Sequence, residues 1–202
     1  NKNFSDLWPG VLEAFRLIGS EQIQGRASLG GNLCNGSPAG DSVPALIAAG
    51  CKAIIAGPVS TKEIPIENFH KGPGKTVLEN GEMLVSLKFP KREKNSSDAY
   101  LRMTPRTEMD IAVVGCAVNI TLDKNICSAA RVSLGAVAPT PLLIEEASKI
   151  MVGTEMLNGR SYLSIYTGQE QMMPPPWPIL TNIRRCPLSG KTWSMSVSQK
   201  RS

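Results

Sequence analysis

Arg26-Ala27-Ser28-Leu29-Gly30-Gly31-Asn32-Leu33-Cys34-Asn35-Gly36-Ser37-Pro38-Ala39-Gly40-Asp41 places four glycines and one proline within sixteen residues, with small or polar side chains in most of the gaps. The stretch runs into Ser42-Val43-Pro44-Ala45-Leu46-Ile47-Ala48-Ala49-Gly50, which reads as a short helix over 44–49. Asp41 or Ser42 would cap it, Pro44 sits in its first turn and Gly50 stops it. A glycine-rich loop feeding a helix start lets backbone N–H groups approach an anion, because no Cβ stands in the way. That geometry suits the phosphates or ring edge of a nucleotide cofactor; it equally describes a tight surface turn with an ordinary helix cap. Neither Gly-x-Gly-x-x-Gly in a strand–helix setting nor Walker A is present, so spacing alone leaves both readings open.

On the N-terminal side, Leu7, Val11, Leu12, Phe15, Leu17 and Ile18 recur at close to helical spacing, which predicts one helix from Leu7 to Ile18 ended by Gly19. On the C-terminal side, Lys52–Ala56 and Thr61–Ile66 read as strands joined through Gly57-Pro58. His70 is the only histidine and lies in a predicted loop with no evident partner. A turn at Asn80-Gly81 leads to a strand from Glu82 to Phe89, with Met83, Val85, Leu87 and Phe89 on one side and Leu84 on the other. The polar run from Lys91 to Asp98 is the expected domain boundary. Beyond it come a strand from Ala99, a long apolar run from Met109 to Leu122 and a strand from Ile126 to Val137. Asp123-Lys124-Asn125 turns between the last two. Pro139 and Pro141 are expected to end the sheet, and Pro141 to Val152 reads as a helix.

The 202 residues carry 22 Lys and Arg against 17 Asp and Glu, a net charge of +5 without a basic stripe interleaved with aromatics, which argues against a nucleic-acid surface. Five cysteines show neither a C-x-x-C pair nor metal-ligand spacing, so no metal site is expected, and their odd number suits a reducing compartment. No apolar run is long enough to span a bilayer and no signal peptide is visible, so the cytoplasm is the expected location, with no membrane partner. The first residue is Asn1 rather than methionine, and the N-terminus is expected to be truncated.

The stretch 26–41 resembles the second FAD-contacting loop of the flavin subunit in the xanthine dehydrogenase family, the medium chain of the molybdenum hydroxylases that also include carbon monoxide dehydrogenase. Tyr100-Leu101-Arg102-Met103-Thr104-Pro105-Arg106-Thr107-Glu108-Met109-Asp110-Ile111-Ala112 resembles the strand linker entering that family's C-terminal domain. Ala130-Arg131-Val132-Ser133-Leu134-Gly135-Ala136-Val137-Ala138-Pro139-Thr140-Pro141 resembles a strand and turn inside it. The likeness is continuous from about Val11 to about Met156. It implies an α+β chain: the second lobe of a PCMH-type FAD-binding domain over 1–92, then a sheet-plus-helix domain like the carbon monoxide dehydrogenase flavoprotein C-terminal domain over 99–156. Residues 157–202 depart from the family and read either as an irregular, proline-rich tail or as the product of a reading-frame slip.

The resemblance also implies function. The chain is expected to be a FAD-binding electron-transfer subunit of an oxidoreductase, inactive by itself. Its implied partners are a molybdopterin-binding large subunit, an iron–sulfur small subunit and an electron acceptor such as NAD or oxygen. Ser28, Leu29, Gly30, Gly31 and Asn32 would hold the phosphate or ribityl portion. Asp41 would accept from the ribityl chain or cap the following helix, Leu84 and Arg102 would complete the flavin edge, and Ile18 lies near it in the family. No residue is expected to serve as nucleophile or general base; the redox chemistry belongs to the cofactor. The family's earlier glycine-rich loop has no equivalent before Leu7, so about half of the cradle is expected here. The competing expectation is a remnant that kept the fold as a subunit-interaction module without the flavin.

Overall fold

A computed structural model describes residues 2–106 and 110–155, together with the backbone of 183–185 and 193–195. The N-terminal apolar pattern forms two helices rather than one, α1 (Lys2–Leu7) and α2 (Pro9–Arg16). Trp8 between them has φ −134° and ψ 63°, because the ring of Pro9 keeps the preceding residue out of the helical region. A single turn, α3 (Glu21–Gln24), leads to α4 (Leu29–Cys34) and α5 (Ser42–Ala48). All seven residues of α5 are buried, and Gly50 in the left-handed region (φ 71°) ends it as the sequence predicts.

Strands β1 (Lys52–Ala56) and β2 (Thr61–Pro65) form the expected hairpin, closed by Gly57 N–H donating to the Ser60 carbonyl at 2.9 Å. After a 3₁₀ turn at Ile66–Asn68, His70 opens a small ladder of β3 (His70–Gly72) and β4 (Lys75–Thr76), not a loop. β5 (Met83–Lys88) pairs with the other edge of β1, giving the order β2-β1-β5. Its alternation differs from the expected one. The register slips between Ile54 and Ile55, so that Ile54 faces Ser86 while Ile55 faces Leu84, and Val85 is the extra residue. Leu84 and Leu87 therefore both pack against the core, while Met83 and Val85 are exposed.

The second sheet is an antiparallel meander of β6 (Ser96–Met103), β7 (Val114–Asp123), β8 (Ile126–Gly135) and β9 (Leu142–Leu143). β6 starts inside the expected linker, with Ser97 and Asp98 buried. β7 starts later than the apolar run suggests. Asp110 folds the preceding loop back by accepting from the amides of Arg106 and Ile111, both at 2.9 Å. Pro139 and Pro141 do not end the sheet: Leu142 and Leu143 add a fourth strand, and the last helix is the shorter α6 (Glu145–Met151).

Strand alternation sends the two faces of this sheet to different cores. Tyr100 and Ala117 join the cluster built on Val11, Leu33, Leu46, Ile55 and Phe69, under α2 and α5. Cys116, Val118, Ile120 and Val132 face the opposite way and close around Met151 of α6. Residues 183–185 and 193–195 pair as two short antiparallel strands, β10 (Ile183–Arg185) and β11 (Trp193–Met195). The rest of the divergent tail, where irregular chain or a frame slip was expected, lies outside the described residues.

Candidate functional site

The glycine stretch is helical at its centre. Ser28, extended at φ −135° and ψ 156°, caps α4, and its Oγ accepts from Gly31 N–H at 3.0 Å. Further along α4, His70 Nε2 lies 2.7 Å from the Leu33 carbonyl. A carbonyl can only accept, so Nε2 carries the proton and the histidine acts as a support for α4. The first-turn amides of Leu29 and Gly30 donate to no partner among the described residues.

Beside α4 lies an open groove of about 640 Å³, walled on one side by Ser28, Leu29, Gly30 and Gly31 and on the other by β5 and Phe89. The glycines are required by the close approach rather than by left-handed backbone. A Cβ on Gly30 would stand 3.3 Å from Leu84 Cδ2, and one on Gly31 would stand 3.1 Å from the capping Ser28 Oγ. The only ionisable acid on the groove wall, Glu82, is neutralised by Lys62 at 2.6 Å and accepts from Glu79 N–H, which holds its carboxyl below the usual range. Burial pushes the Cys34 thiol, also on the wall, upward. The groove thus offers amide and hydroxyl groups along one wall and apolar side chains along the other. That donor set fits a flat aromatic ring bearing a polar chain, including a flavin.

Of the nine residues singled out in the sequence, Ser28, Leu29, Gly30, Gly31 and Leu84 come together on this groove. The other four do not line it. Asn32 turns toward α5, where its Oδ1 accepts from Ser42 N–H at 3.3 Å and from Ser42 Oγ at 2.7 Å. Asn32 therefore caps α5 from ten residues away. Asp41 holds the cap position but makes no side-chain cap bond. Its carboxylate accepts from Tyr100 OH at 3.1 Å and from Arg102 Nη1 at 2.9 Å. Arg102 Nη1 also donates to the Leu17 carbonyl at 2.9 Å, next to the buried Ile18. Burial raises the Asp41 pKa against the opposing effect of Arg102 and Tyr100, and burial followed by the Asp41 charge raises that of Tyr100.

Sequence reasoning missed Leu87, Phe89 and Cys34 on the groove, and Tyr100 and Ser42 in the adjoining network. A signal existed for Tyr100, which lies two residues before Arg102 and hence on the same face of its strand. Cys34 sits one turn after Gly31 in a segment that reads as loop, so its orientation was not legible. No cluster of three or more metal-ligating side chains occurs among the described residues. No described helix is long and apolar enough to cross a membrane.

The profile of the FAD binding domain in molybdopterin dehydrogenase matches residues 1–92, and that of the CO dehydrogenase flavoprotein C-terminal domain matches residues 99–177, past Met156 where the motif resemblance stops. The chain is 36% identical over 142 residues to the xanthine dehydrogenase FAD-binding subunit of Escherichia coli O157:H7, covering 70% of this chain and 49% of that one. It is 33% identical over 149 residues to the carbon monoxide dehydrogenase medium chain of Afipia carboxidovorans, covering 73% and 51%. A solved CO dehydrogenase from Oligotropha carboxidovorans superposes with a TM-score of 0.73 at 30% identity, over 76% of this chain and 54% of that one. The chain thus spans about half the length of the curated relatives it matches. With two matched domains in the same order and a shared fold, the chain belongs to the family of FAD-binding medium subunits of the molybdenum hydroxylases, that of xanthine dehydrogenase and carbon monoxide dehydrogenase.

Proposed function

We propose that this chain binds FAD along the α4–β5 groove and serves as the flavin-carrying part of an electron-transfer subunit in a molybdenum hydroxylase. The observation that carries the reading is the groove itself, which brings the Ser28–Gly31 turn against Leu84 with two first-turn amides left unpaired. The Leu29 and Gly30 amides and the Ser28 hydroxyl would hold the polar chain of the dinucleotide. Leu84, Leu87 and Phe89 would exclude water from one side of the ring. Asn32, Asp41, Arg102 and Ile18 lie in the layer behind the glycine turn. In this reading Arg102 places a positive charge near the flavin edge, and Asp41 keeps that charge oriented. When bound, FAD supplies the redox chemistry, taking electrons from the iron–sulfur clusters of a small subunit and passing them to an acceptor such as NAD or oxygen. A molybdopterin-binding large subunit completes the assembly, and this chain contributes binding and orientation rather than a nucleophile or base.

Titrating the full chain into FAD and following flavin fluorescence tests the proposal. Saturable quenching that is lost when Gly31 is replaced by Val is the expected result. No quenching at a chain concentration of about 100 µM, where a site worth roughly 5.5 kcal/mol would be half-filled, overturns it. One observation favours a second reading, that of an interaction module which kept the fold without the cofactor. Asp41 and Arg102 already satisfy each other inside the protein. Purification from native levels with subunit partners attached but no flavin absorbance would select that reading.

A further inference from the structure

Ser42 is fully buried at the start of α5, and both of its donors, N–H and Oγ–H, point at a single atom, Asn32 Oδ1. A backbone N–H can only donate, so the oxygen of the Asn32 amide must face Ser42 and the NH2 group must face away. The approach is tight: a Cβ on Gly40 would lie 3.2 Å from Oδ1, so glycine there leaves room for the oxygen. Asn32 Nδ2 makes no hydrogen bond among the described residues and is not one of the fully buried unpaired atoms, and the residue is half-buried. The amide is therefore locked in one orientation and presents only N–H donors on its open side.

We propose that Ser42 is a positioning residue that fixes Asn32 as a pure hydrogen-bond donor, so that the group received there is an acceptor without protons: a phosphate, carbonyl or deprotonated ring oxygen. The inference rests on the flavin reading above and adds the polarity of one contact and the residue that enforces it. An aspartate at position 32 separates the two jobs of the asparagine. One oxygen can still accept from Ser42, while the other replaces the NH2 group with a charge that repels an acceptor.

The test uses the full chain with FAD as probe, and thermal unfolding as an independent readout. Asn32→Asp is expected to unfold within about 1 °C of wild type, whereas Asn32→Ala, which removes the acceptor altogether, falls by about 3 °C. At pH 7.5 Asn32→Asp binds FAD about tenfold more weakly, and binding recovers as the pH falls through the carboxyl range, where a protonated Asp regains a donor. Wild type shows no such recovery, and Ser42→Ala weakens binding about threefold with FAD saturation preserved. An Asn32→Asp variant that unfolds as early as Asn32→Ala overturns the amide orientation, whether or not FAD binds. One that binds FAD like wild type at pH 7.5 overturns the donor role. Failure of wild type itself to bind FAD, with the two melting temperatures as expected, rejects the flavin reading and with it the ligand half of the proposal, while leaving the Ser42–Asn32 lock in place.

Discussion

At Asp41 two effects oppose each other. Burial raises the carboxyl pKa, the Arg102 guanidinium and the Tyr100 hydroxyl lower it, and burial prevails. The folded protein therefore holds a proton at Asp41 more tightly than the unfolded chain does. The resulting stability is fully present below the ordinary aspartate value near 4 and is lost as the pH rises through the raised folded value. The advantage of wild type over Asp41→Asn in thermal unfolding should accordingly shrink as pH increases from about 4; an advantage that grows with pH would show that the ion pair, not burial, dominates. Asp41→Ala at neutral pH removes the counter-charge from Arg102, whose side chain is only 13% exposed. Loss of one partner of a buried pair costs about 3 kcal/mol, readable in urea denaturation. Asp98 and Glu13 follow the same rule, with burial as the first cause of each raised pKa. None of this was legible in the sequence. Asp41 reads there as a helix cap because it precedes Ser42, and only the fold shows that β6 carries Tyr100 and Arg102 to it.

At the scale of the element, two helices begin on side chains far from them in the chain. Asn32 caps α5, and Asp98 Oδ2 of β6 accepts from Val11 N–H in the first turn of α2 at 3.1 Å. Local patterns reveal a cap only when it adjoins its helix, so both were missed, whereas the Gly50 stop and the Gly57-Pro58 turn were read correctly from adjacent residues. The exposed face of β5 was misread for a related reason, since a bulge depends on the partner strand and leaves no mark in the pattern of its own strand. The α2–β6 contact gives the sharpest prediction at this scale. A Cβ on Gly10 would lie 2.6 Å from Ala99 N and 2.8 Å from Asp98 Oδ2, and backbone cannot give way as a side chain tip can. Gly10→Ala should push α2 off β6, cost about 3 kcal/mol and expose Trp8, seen as a red shift in tryptophan emission. Gly25→Ala, where the nearest atom is 3.5 Å away, should leave both readouts unchanged.

Over the whole molecule, the seam between the helical half and the meander sheet is built of charges and backbone groups as much as of apolar side chains. Arg92 lies 2.9 Å from Asp98 and stacks 4.4 Å from the centre of the Trp8 ring. Glu13 Oε2 accepts from Tyr100 N–H, Arg131 donates to the Ile47 carbonyl and to Glu67, and Ala136 N–H reaches the Pro38 carbonyl. Each of these bonds has one partner before residue 93 and the other after residue 91. The two segments matched by separate profiles therefore share a polar seam, and Tyr100 and Ala117 also enter the core of the first segment. Removing the sheet would leave Asp41, Glu13 and the Ile47 carbonyl without these partners, and removing the helices would expose Asp98, Tyr100 and Arg102. Buried polar groups stripped of partners cost several kcal/mol together, so neither half is stable without the other over a useful range. The chain should accordingly unfold in one transition, with coincident midpoints for far-UV circular dichroism and tryptophan emission. Arg131→Ala, which cuts three of the seam's bonds, should move both midpoints down together. Two separated transitions in wild type, or a shift of one midpoint alone in the variant, would mean that the seam joins two independently stable units and that the groove wall beside α4 is supported by the helical half only.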